Sequence, residues 1–312
     1  MDLLDLVMYY VLRYYAMILA LVFVGSLIAN LAMELGLTRA LAKPFNPLLK
    51  AAKMPEGLSA VLALSLIDSR VAHAALSTHF RRGELSENHV VACFLLMTPL
   101  GAVPLFIRHY APIAYAALGL YVATLYLSLI FIPLAVRALI GVAYSRRLEW
   151  RHVELESERR VERGGFKRAL NSAVKLTKDV AIRLALVTLA LILMSYFHAY
   201  EALSSVLTPL TSKIGLSAAG ASIVAIRAVS PSIGLFVAGD LLQRGVIGVK
   251  EGLISLLMGS LLFMITSDYP RHAFPFYASV YPVKLAAKLT AIGMAISSTV
   301  LSAVIVVLAL GA

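Results

Sequence analysis

The stretch of residues 226–247, IRAVSPSIGLFVAGDLLQRGVI, places charged side chains and a proline inside an otherwise apolar run. The run is long enough for a helix that crosses a bilayer, which needs about 20 residues. Pro231 lacks a backbone N–H group and crowds the carbonyl of Arg227 four residues earlier, so the helix should break there. A break at membrane depth leaves backbone groups unpaired, and these are tolerated only against protein or a water-filled cavity. The stretch therefore predicts a broken membrane helix.

The composition of the whole chain supports a membrane location. Of its 312 residues, 60% are hydrophobic and 14% are charged, and the mean hydropathy is +0.86. These values exclude a disordered chain and an ordinary soluble domain. The single cysteine, Cys93, excludes a domain held together by internal disulfides. The shortage of Asn, Gln and Cys also fits a thermophilic source, although membrane composition depletes the same residues.

We predict an all-α integral membrane protein with about eight transmembrane helices, some of them broken or re-entrant. Six segments are strong candidates, and two more are interrupted by charges. The strong candidates are 14–33, 90–107, 113–136, 180–196, 252–266 and 289–310. The interrupted segments are 57–77 and 216–242. Pro44 and Pro47 break the connector 36–56, which suggests an interfacial or re-entrant piece.

The formal charge of +11 comes largely from a basic cluster beside membrane segments. Twelve of the 28 Lys and Arg residues lie in 137–183, and no aromatic side chains alternate with them as in a nucleic-acid module. We interpret the cluster as an orientation signal, because positively charged loops stay on the cytoplasmic side. The prediction is a multi-pass cell-membrane protein with both termini cytoplasmic and no nucleic-acid partner.

One sizeable polar stretch separates two membrane parts. Residues 144–178 form a basic linker, and apolar positions from Phe166 to Val180 recur at helical spacing. This pattern predicts an amphipathic helix that lies on anionic membrane lipids. A solvated linker held close to the membrane is the alternative.

The sequence contains an internal repeat. Gly-Leu-Ser-Ala at 57–60 recurs at 215–218, and three downstream matches and one upstream match keep the same order at offsets of 158 to 163. We predict a first membrane repeat at 1–143, the linker at 144–178 and a second membrane repeat at 179–312. Four crossings per repeat give parallel copies, whereas a re-entrant hairpin in each gives inverted copies. Both arrangements place a site at the repeat interface near the midplane.

Polar side chains cluster inside the two interrupted segments, where ionisable groups are costly unless they are paired or hydrated. At 100° per residue, Ser65, Ser69 and His73 form one stripe of the second helix. Arg70 and Arg227 are expected at similar depths of equivalent helices. The candidate substrate-binding residues are Ser65, Asp68, Ser69, Arg70, His73, Arg227, Ser230, Pro231 and Ser232. Asp68 and His73 are also the groups that are able to titrate and couple transport to protons.

Each of these features also has a structural explanation. Asp68 and Arg70 can pair with residues on other helices, and Pro231 can be an ordinary kink, since membrane helices tolerate proline. His73 alone is more often a hydrogen-bonded packing residue than a ligand. Two polar helices at equivalent repeat positions nevertheless favour a central site.

Two Arg-His pairs occupy matching positions in the repeats. Arg108-His109 comes before Pro112, and Arg271-His272 comes before Pro275. We predict that both pairs form turns at the outer surface and gate an entrance or contact lipid headgroups. Helix capping is the alternative.

A strip of small residues, Ala116, Gly119 and Ala123, follows on the fourth predicted helix. Small residues let another helix approach closely. The strip therefore predicts a homo-oligomer, unless it packs within the monomer.

Motifs of enzymes and metal sites are absent from the sequence. It has no Walker A loop, H-E-x-x-H, G-x-S-x-G or C-x-x-C pattern. We expect no enzyme activity, no metal and no cofactor. An intramembrane nucleophile at Ser69 near His73 is a weaker alternative.

Residues 226–247, and residues 57–85 with the helix after them, resemble the gate domain, also called the nucleoside-recognition domain. This domain occurs in spore-maturation membrane proteins and in the membrane part of ferrous-iron transporters, and it is distantly related to concentrative nucleoside transporters. The resemblance covers most of the chain and implies a role at the membrane. The Cys-rich and GTP-binding parts of the iron transporters have no counterpart in this sequence, which argues against iron as a solute.

The sequence thus predicts a membrane transporter or permease. The solute would be small and polar, either anionic or nucleoside-like, and would bind between the two repeats. The alternative function is that of a non-transporting membrane scaffold or assembly factor. Membrane lipids are expected partners in both cases.

Overall fold

The computed structural model describes residues 71–150 and 215–311 without a gap. It also describes parts of 46–70 and 166–182, and five positions between 19 and 27. No strand occurs among these residues, which confirms the all-α class. Asp68 and most of the predicted spans 14–33 and 180–196 lie outside the described residues, as does the side chain of Arg70.

The described chain forms nine α-helices and two π-helical segments. The helices are α1 Asn46–Ala51, α2 Ser69–Arg81, α3 Glu87–Leu105, α4 Ala111–Ser145, α5 Ala218–Val229, α6 Pro231–Gln243, α7 Val249–Phe263, α8 Phe274–Val280 and α9 Val283–Leu310. The π segments are Phe106–Tyr110, between α3 and α4, and Met264–Ala273, between α7 and α8.

Three helical stretches are long and apolar enough to cross a membrane. They are Glu87–Ser145, Val249–Val280 and Val283–Leu310. The predicted spans 90–107, 113–136, 252–266 and 289–310 all fall within them. The membrane class predicted from composition is therefore supported by the length and apolar character of these helices.

The prediction that the two Arg-His pairs form turns is wrong. The chain stays helical through Arg108 and His109, and it leaves helical geometry at Gly119, with φ 74° and ψ 171°. Pro112 does not end the helix, because the π segment before it adjusts the backbone to the missing N–H group. Pro275 follows the second π segment in the same way.

The break predicted from Pro231 is present. Helix α5 ends at Val229, and Ser230 takes an extended conformation with φ −140° and ψ 106°. Helix α6 then begins at Pro231, where a missing N–H group costs no hydrogen bond. The two polar segments of the chain differ here: Arg227 lies before its break, whereas Arg70 lies in the first turn of α2, after the turn at Ser65. The expected equivalence of the two arginines is therefore wrong.

Close contacts between helices explain several small residues. A Cβ on Gly239 of α6 would lie 1.9 Å from the carbonyl oxygen of Ala117 in α4, so only glycine fits there. Ala116 and Ala123 are 5% and 0% exposed, and Gly119 between them is not helical. Ala116 and Ala123 thus pack within the monomer, whereas Gly119 is exposed, and the homo-oligomer stays a prediction.

The described part of the linker agrees with an amphipathic helix. Positions described within 166–178 are helical, and Ala169 and Ala173 are buried. Phe166 and Val174 are exposed. These two apolar side chains are therefore free to contact lipid.

Candidate functional site

A cavity of about 320 Å³ lies between the two halves of the chain. Residues of α3, α4 and the first π segment form one side, and residues of α5, α6, α7 and the second π segment form the other. Helix α9 contributes Ser297 and Leu301. The volume is at the small end of the range for ligand sites, about 300 to 1,000 Å³.

Arg227 reaches the cavity from the last turn of α5 and is 3% exposed. Its Nε donates hydrogen bonds to the Leu256 carbonyl at 3.1 Å and to Oγ of Ser260 at 2.7 Å. Its Nη1 donates to the carbonyl of Pro231, and its Nη2 donates to the hydroxyl of Tyr126. All four acceptors are neutral. Pro231 is the first residue of α6, so the break at Ser230 brings its carbonyl beside the guanidinium.

Two glycines make room for Arg227. A Cβ on Gly234 would lie 2.4 Å from Cβ of Arg227, and a Cβ on Gly259 would lie 2.7 Å from the same atom. Real side chains do not approach so closely, and the crowded atoms belong to the base of the arginine. Gly234 and Gly259 therefore hold the arginine stem between α6 and α7.

Arg137 enters the cavity from α4 and is also 3% exposed. Its Nη2 lies 2.8 Å from the hydroxyl of Tyr269, 2.5 Å from the carbonyl of Gly293 and 2.7 Å from Oγ of Ser297. These acceptors are neutral too. Cζ of Arg137 lies 5.5 Å from the centroid of the Phe94 ring, within range of a cation–π contact.

The hydrogen bonding of Arg137 is incomplete. Its Nε is buried without an acceptor among the described residues. Its Nη1 donates to none of the described residues either. Unmet donors on a buried guanidinium are costly, because their hydration is lost without replacement.

The charge of the cavity is positive. Within the described part of the chain, no carboxylate forms a salt bridge with Arg137 or Arg227. Asp268 is the only acidic residue on the described wall, and its Oδ1 lies 3.8 Å from Nδ1 of His272 instead. Two arginines and one ionised aspartate give the described wall a net charge of about +1.

The predicted substrate-binding residues are only partly at this cavity. Arg227 and Pro231 line it, whereas Ser65, Ser69, His73, Ser230 and Ser232 do not. Ser65 donates to the Leu62 carbonyl at 2.5 Å in the turn before α2. Ser69 packs against Gly101 of α3. Asp68 and the side chain of Arg70 lie outside the described residues.

His73 belongs to an aromatic cluster away from the cavity. Its Nδ1 lies 3.0 Å from the hydroxyl of Tyr281, and that hydroxyl donates to the His73 carbonyl at 3.2 Å. Both contacts are satisfied together when Nδ1 carries the proton. The rings of Phe94, Phe276 and Tyr277 surround the imidazole at centroid distances of 6.2, 5.7 and 5.1 Å. The histidine thus joins α2 to the connector between α8 and α9.

The predicted gating residues flank the cavity without lining it. Arg108 and His109 lie in the first π segment, between the lining residues Phe106 and Tyr110. Arg271 and His272 lie in the second π segment, just after lining residues Asp268 and Tyr269. π-helical turns occur frequently at functional sites.

Sequence reasoning missed most of the polar wall. The missed residues are Thr98, Tyr110, Tyr126, Arg137, Ser260, Asp268, Tyr269 and Ser297. Arg137 had been grouped with the basic orientation cluster, because it ends the apolar run 113–136. The apolar residues 138–144 that follow it were the available signal, since an arginine with apolar sequence on both sides lies within a helix that is embedded in the membrane.

Metal binding finds no geometric support in the described part of the chain. Within it, no group of three or more His, Cys, Asp or Glu side chains could hold a metal ion.

Comparisons with known proteins connect this architecture to archaeal proteins. The chain is 24% identical over 282 residues to the uncharacterized protein MJ0880 of Methanocaldococcus jannaschii, covering 87% of this chain and 90% of the relative. It is 23% identical over 295 residues to the uncharacterized protein MJ0871 of the same organism, covering 93% and 90%. No protein-family model and no solved structure matches the chain. The chain is thus similar over nearly its whole length to archaeal proteins whose names assign no function.

Proposed function

We propose that this protein is a membrane transporter or permease for a small polar solute, and that an anion is the favoured cargo. One observation carries the proposal: Arg137 and Arg227 are buried at one cavity, and no described carboxylate pairs with either. An arginine side chain stays charged, and a charge inside a membrane protein is costly unless it is compensated. Neutral acceptors supply part of the compensation, and an anionic solute would supply the rest.

The elements around the cavity support movement of a solute. The break at Ser230 interrupts a helix at the cavity wall, and discontinuous helices form solute sites in secondary transporters. Both π segments also border the cavity. We propose that Arg108, His109, Arg271 and His272 on these segments control access to the cavity.

The matching order of elements supports two repeats. Helices α2 and α6 both have 13 residues and begin 162 positions apart in the sequence. Gly83 and Gly245 follow them with φ of 74° and 68°. In each half, a helix, a π segment and another helix come next. The helical geometry then breaks at Gly119 in the first half and at Tyr281 in the second. The arginines of the cavity come from different halves, as a site between repeats requires.

Six crossings, in place of the eight predicted from sequence, complete the proposal, and they put both termini on the side opposite the linker 144–178. Gly119 divides the stretch Glu87–Ser145 into two parts, each of which exceeds about 30 Å at a rise of 1.5 Å per residue. With Val249–Val280 and Val283–Leu310 these make four crossings. We propose that the two broken segments are re-entrant hairpins and not crossings. Ser217, just before α5, donates its backbone N–H to Glu251 in the first turn of α7 at 2.7 Å, so the segment starts at the end of α7 to which α6 returns. Oγ of Ser145 likewise donates to the carbonyl of Ala52 at 2.7 Å, ahead of the segment 57–77. The apolar runs 14–33 and 180–196 supply two more crossings, so each repeat has three and the copies are inverted. The resemblance to gate-domain membrane proteins belongs to the same proposal.

Uptake into liposomes tests the proposed function. Purified protein would be reconstituted and supplied with a panel of labelled organic anions and nucleosides. We expect saturable uptake of at least one anion, reduced at least tenfold in Arg227→Gln. Arg82→Gln is the matched control, because it removes one positive charge from a side chain that is 65% exposed and far from the cavity wall.

Proton coupling is tested in the same liposomes. We propose that Asp68 and His73 couple uptake to protons, so Asp68→Asn should remove the dependence of uptake on external pH. Saturable flux of no solute at all would favour the non-transporting scaffold instead. Normal uptake by Arg227→Gln would show that the solute takes another route.

A further inference from the structure

The described cavity wall is apolar apart from its two arginines, their partners, Thr98, Tyr110 and Asp268. Ten of the nineteen lining residues have purely apolar side chains, among them Phe106, Ile130, Leu134, Phe263 and Leu301. A solute in this space would bury most of its surface against hydrocarbon. Burial of apolar surface is favourable, whereas burial of a polar group without a partner is costly.

Apart from that of Tyr110, the hydroxyl groups on the described wall are already engaged. Oγ of Ser260 accepts from Arg227 and donates to the Leu256 carbonyl at 2.6 Å. The hydroxyl of Tyr269 accepts from Arg137 and donates to Oγ of Ser297 at 3.3 Å. Few groups are left to pair with the several hydroxyls of a sugar ring. A solute rich in hydroxyl groups would therefore leave buried polar groups unpaired.

The guanidinium of Arg137, which is a cation, still has hydrogen-bond donors without an acceptor among the described residues. Nη1 of Arg137 carries two N–H groups without an acceptor among the described residues, and the wall has a net charge of about +1. A carboxylate fits this donor, because hydrogen bonds from a guanidinium to a carboxylate are charge-assisted and stronger than those to a neutral acceptor. One negative charge neutralises the wall, and a second would remain uncompensated.

From these three features we infer that the cavity binds an amphipathic organic monoanion, with one carboxylate on a compact apolar body. The inference rests on the proposed function, since it names the class of solute for the same cavity. It excludes the nucleoside-like solute that the sequence left open, and it excludes small hydrophilic anions as the preferred cargo.

Binding of labelled benzoate to the purified full-length protein tests the inference. Benzamide is the matched neutral probe, since it keeps the ring and the shape but lacks the charge. Inorganic phosphate and uridine represent a hydrophilic anion and a nucleoside. Binding would be measured by scintillation proximity for wild type, Arg137→Gln, Arg137→Lys, Arg227→Gln and Arg82→Gln.

We expect saturable benzoate binding that excess benzamide, phosphate or uridine does not displace. Each Arg→Gln variant at the cavity should weaken it at least tenfold, and Arg82→Gln should bind as wild type does. Arg137→Lys keeps the charge, so it should retain more binding than Arg137→Gln if that variant remains folded. An Arg137→Lys variant that folds and binds no better than Arg137→Gln would contradict the role of charge.

Failure of the inference and failure of the proposed function give different results. If benzoate binds but is not taken up by liposomes, the binding site is supported and the transport function is contradicted. If uridine or phosphate is taken up and benzoate does not bind, the transport function is supported and the inference of an amphipathic anionic solute is contradicted. Absence of benzoate binding, or equal binding of benzoate and benzamide, would overturn the inference as well.

Discussion

The hydroxyl of Tyr126 accepts a hydrogen bond from Nη2 of Arg227, and its ring centroid lies 5.2 Å from Cζ of the same arginine. Tyr126 belongs to α4 in the first half of the chain and Arg227 to α5 in the second. One tyrosine thus supplies both a hydrogen-bond acceptor and a π face to a buried cation. This contact joins the two halves at the cavity.

Tyr126→Phe should destabilise the protein by about 1.5 to 3 kcal/mol. The substitution keeps the ring but removes the acceptor from a charged donor, and such hydrogen bonds contribute about that much. Thermal unfolding of the purified protein in detergent would show the loss. Tyr115→Phe is the control, because Tyr115 is 38% exposed and its hydroxyl contacts Thr124 at 3.3 Å on the surface. Equal melting temperatures for the two variants would contradict the stabilising role of Tyr126.

Gly234→Ala should both destabilise the protein and displace Arg227. Its Cβ would lie 2.4 Å from Cβ of the arginine, so α5 and α6 must move apart. Overpacking of this kind costs about 1 to 3 kcal/mol. The control is Gly248→Ala, since a Cβ on Gly248 meets nothing within 4 Å. A Gly234→Ala protein that melts like Gly248→Ala and keeps benzoate binding would show that α5 and α6 are not closely packed.

The broken helix could be predicted from sequence because proline acts on its own helix. Pro231 removes a hydrogen-bond donor wherever its segment packs, and an arginine in an apolar run is unusual in any fold. Arg227 and Pro231 both line the cavity, and their role in binding a substrate stays a prediction. Each of these two residues stands out from its neighbours in the sequence, whatever the rest of the chain packs against it.

The remainder of the wall depends on which helices meet, and a single sequence does not show this. Tyr126 and Tyr269 are ordinary aromatic residues of apolar helices until the fold places an arginine beside each. The turn at Gly119 was missed for a related reason. Arg108 and Pro112 gave a stronger turn signal than one glycine, but a π segment allows the helix to continue past Pro112.

Tyr281→Phe should destabilise the protein more than Tyr277→Phe. The Tyr281 hydroxyl contacts both Nδ1 and the carbonyl of His73. Its removal leaves the buried Nδ1 without a partner, whereas the carbonyl lies within α2 and keeps its helical hydrogen bond. A loss of about 1 to 3 kcal/mol is expected. Tyr277→Phe keeps the ring that packs at 5.1 Å from the imidazole, and it should have little effect. Comparison of the two melting temperatures is the measurement, and the opposite order would contradict the role assigned to Tyr281.

Labelling of single cysteines tests the orientation of the chain. Ser157→Cys in the basic linker should react with a membrane-impermeant maleimide only from the cytoplasmic side. Leu120→Cys, just after the turn at Gly119, should react only from outside. The native Cys93 is buried and gives little background. Labelling of Ser157→Cys from outside alone would reverse the proposed topology.

The central claim is that Arg137 and Arg227 hold one anionic group in a shared apolar cavity. Crystals grown with 4-bromobenzoate test it most directly, because the anomalous signal of bromine locates the ligand independently of the protein density. The claim predicts a bromine peak inside the cavity, among Ile130, Phe263 and Leu301, with the carboxylate bound by at least one of the two guanidinium groups. A fully ordered cavity without a bromine peak, or a peak only at the protein surface, would contradict it.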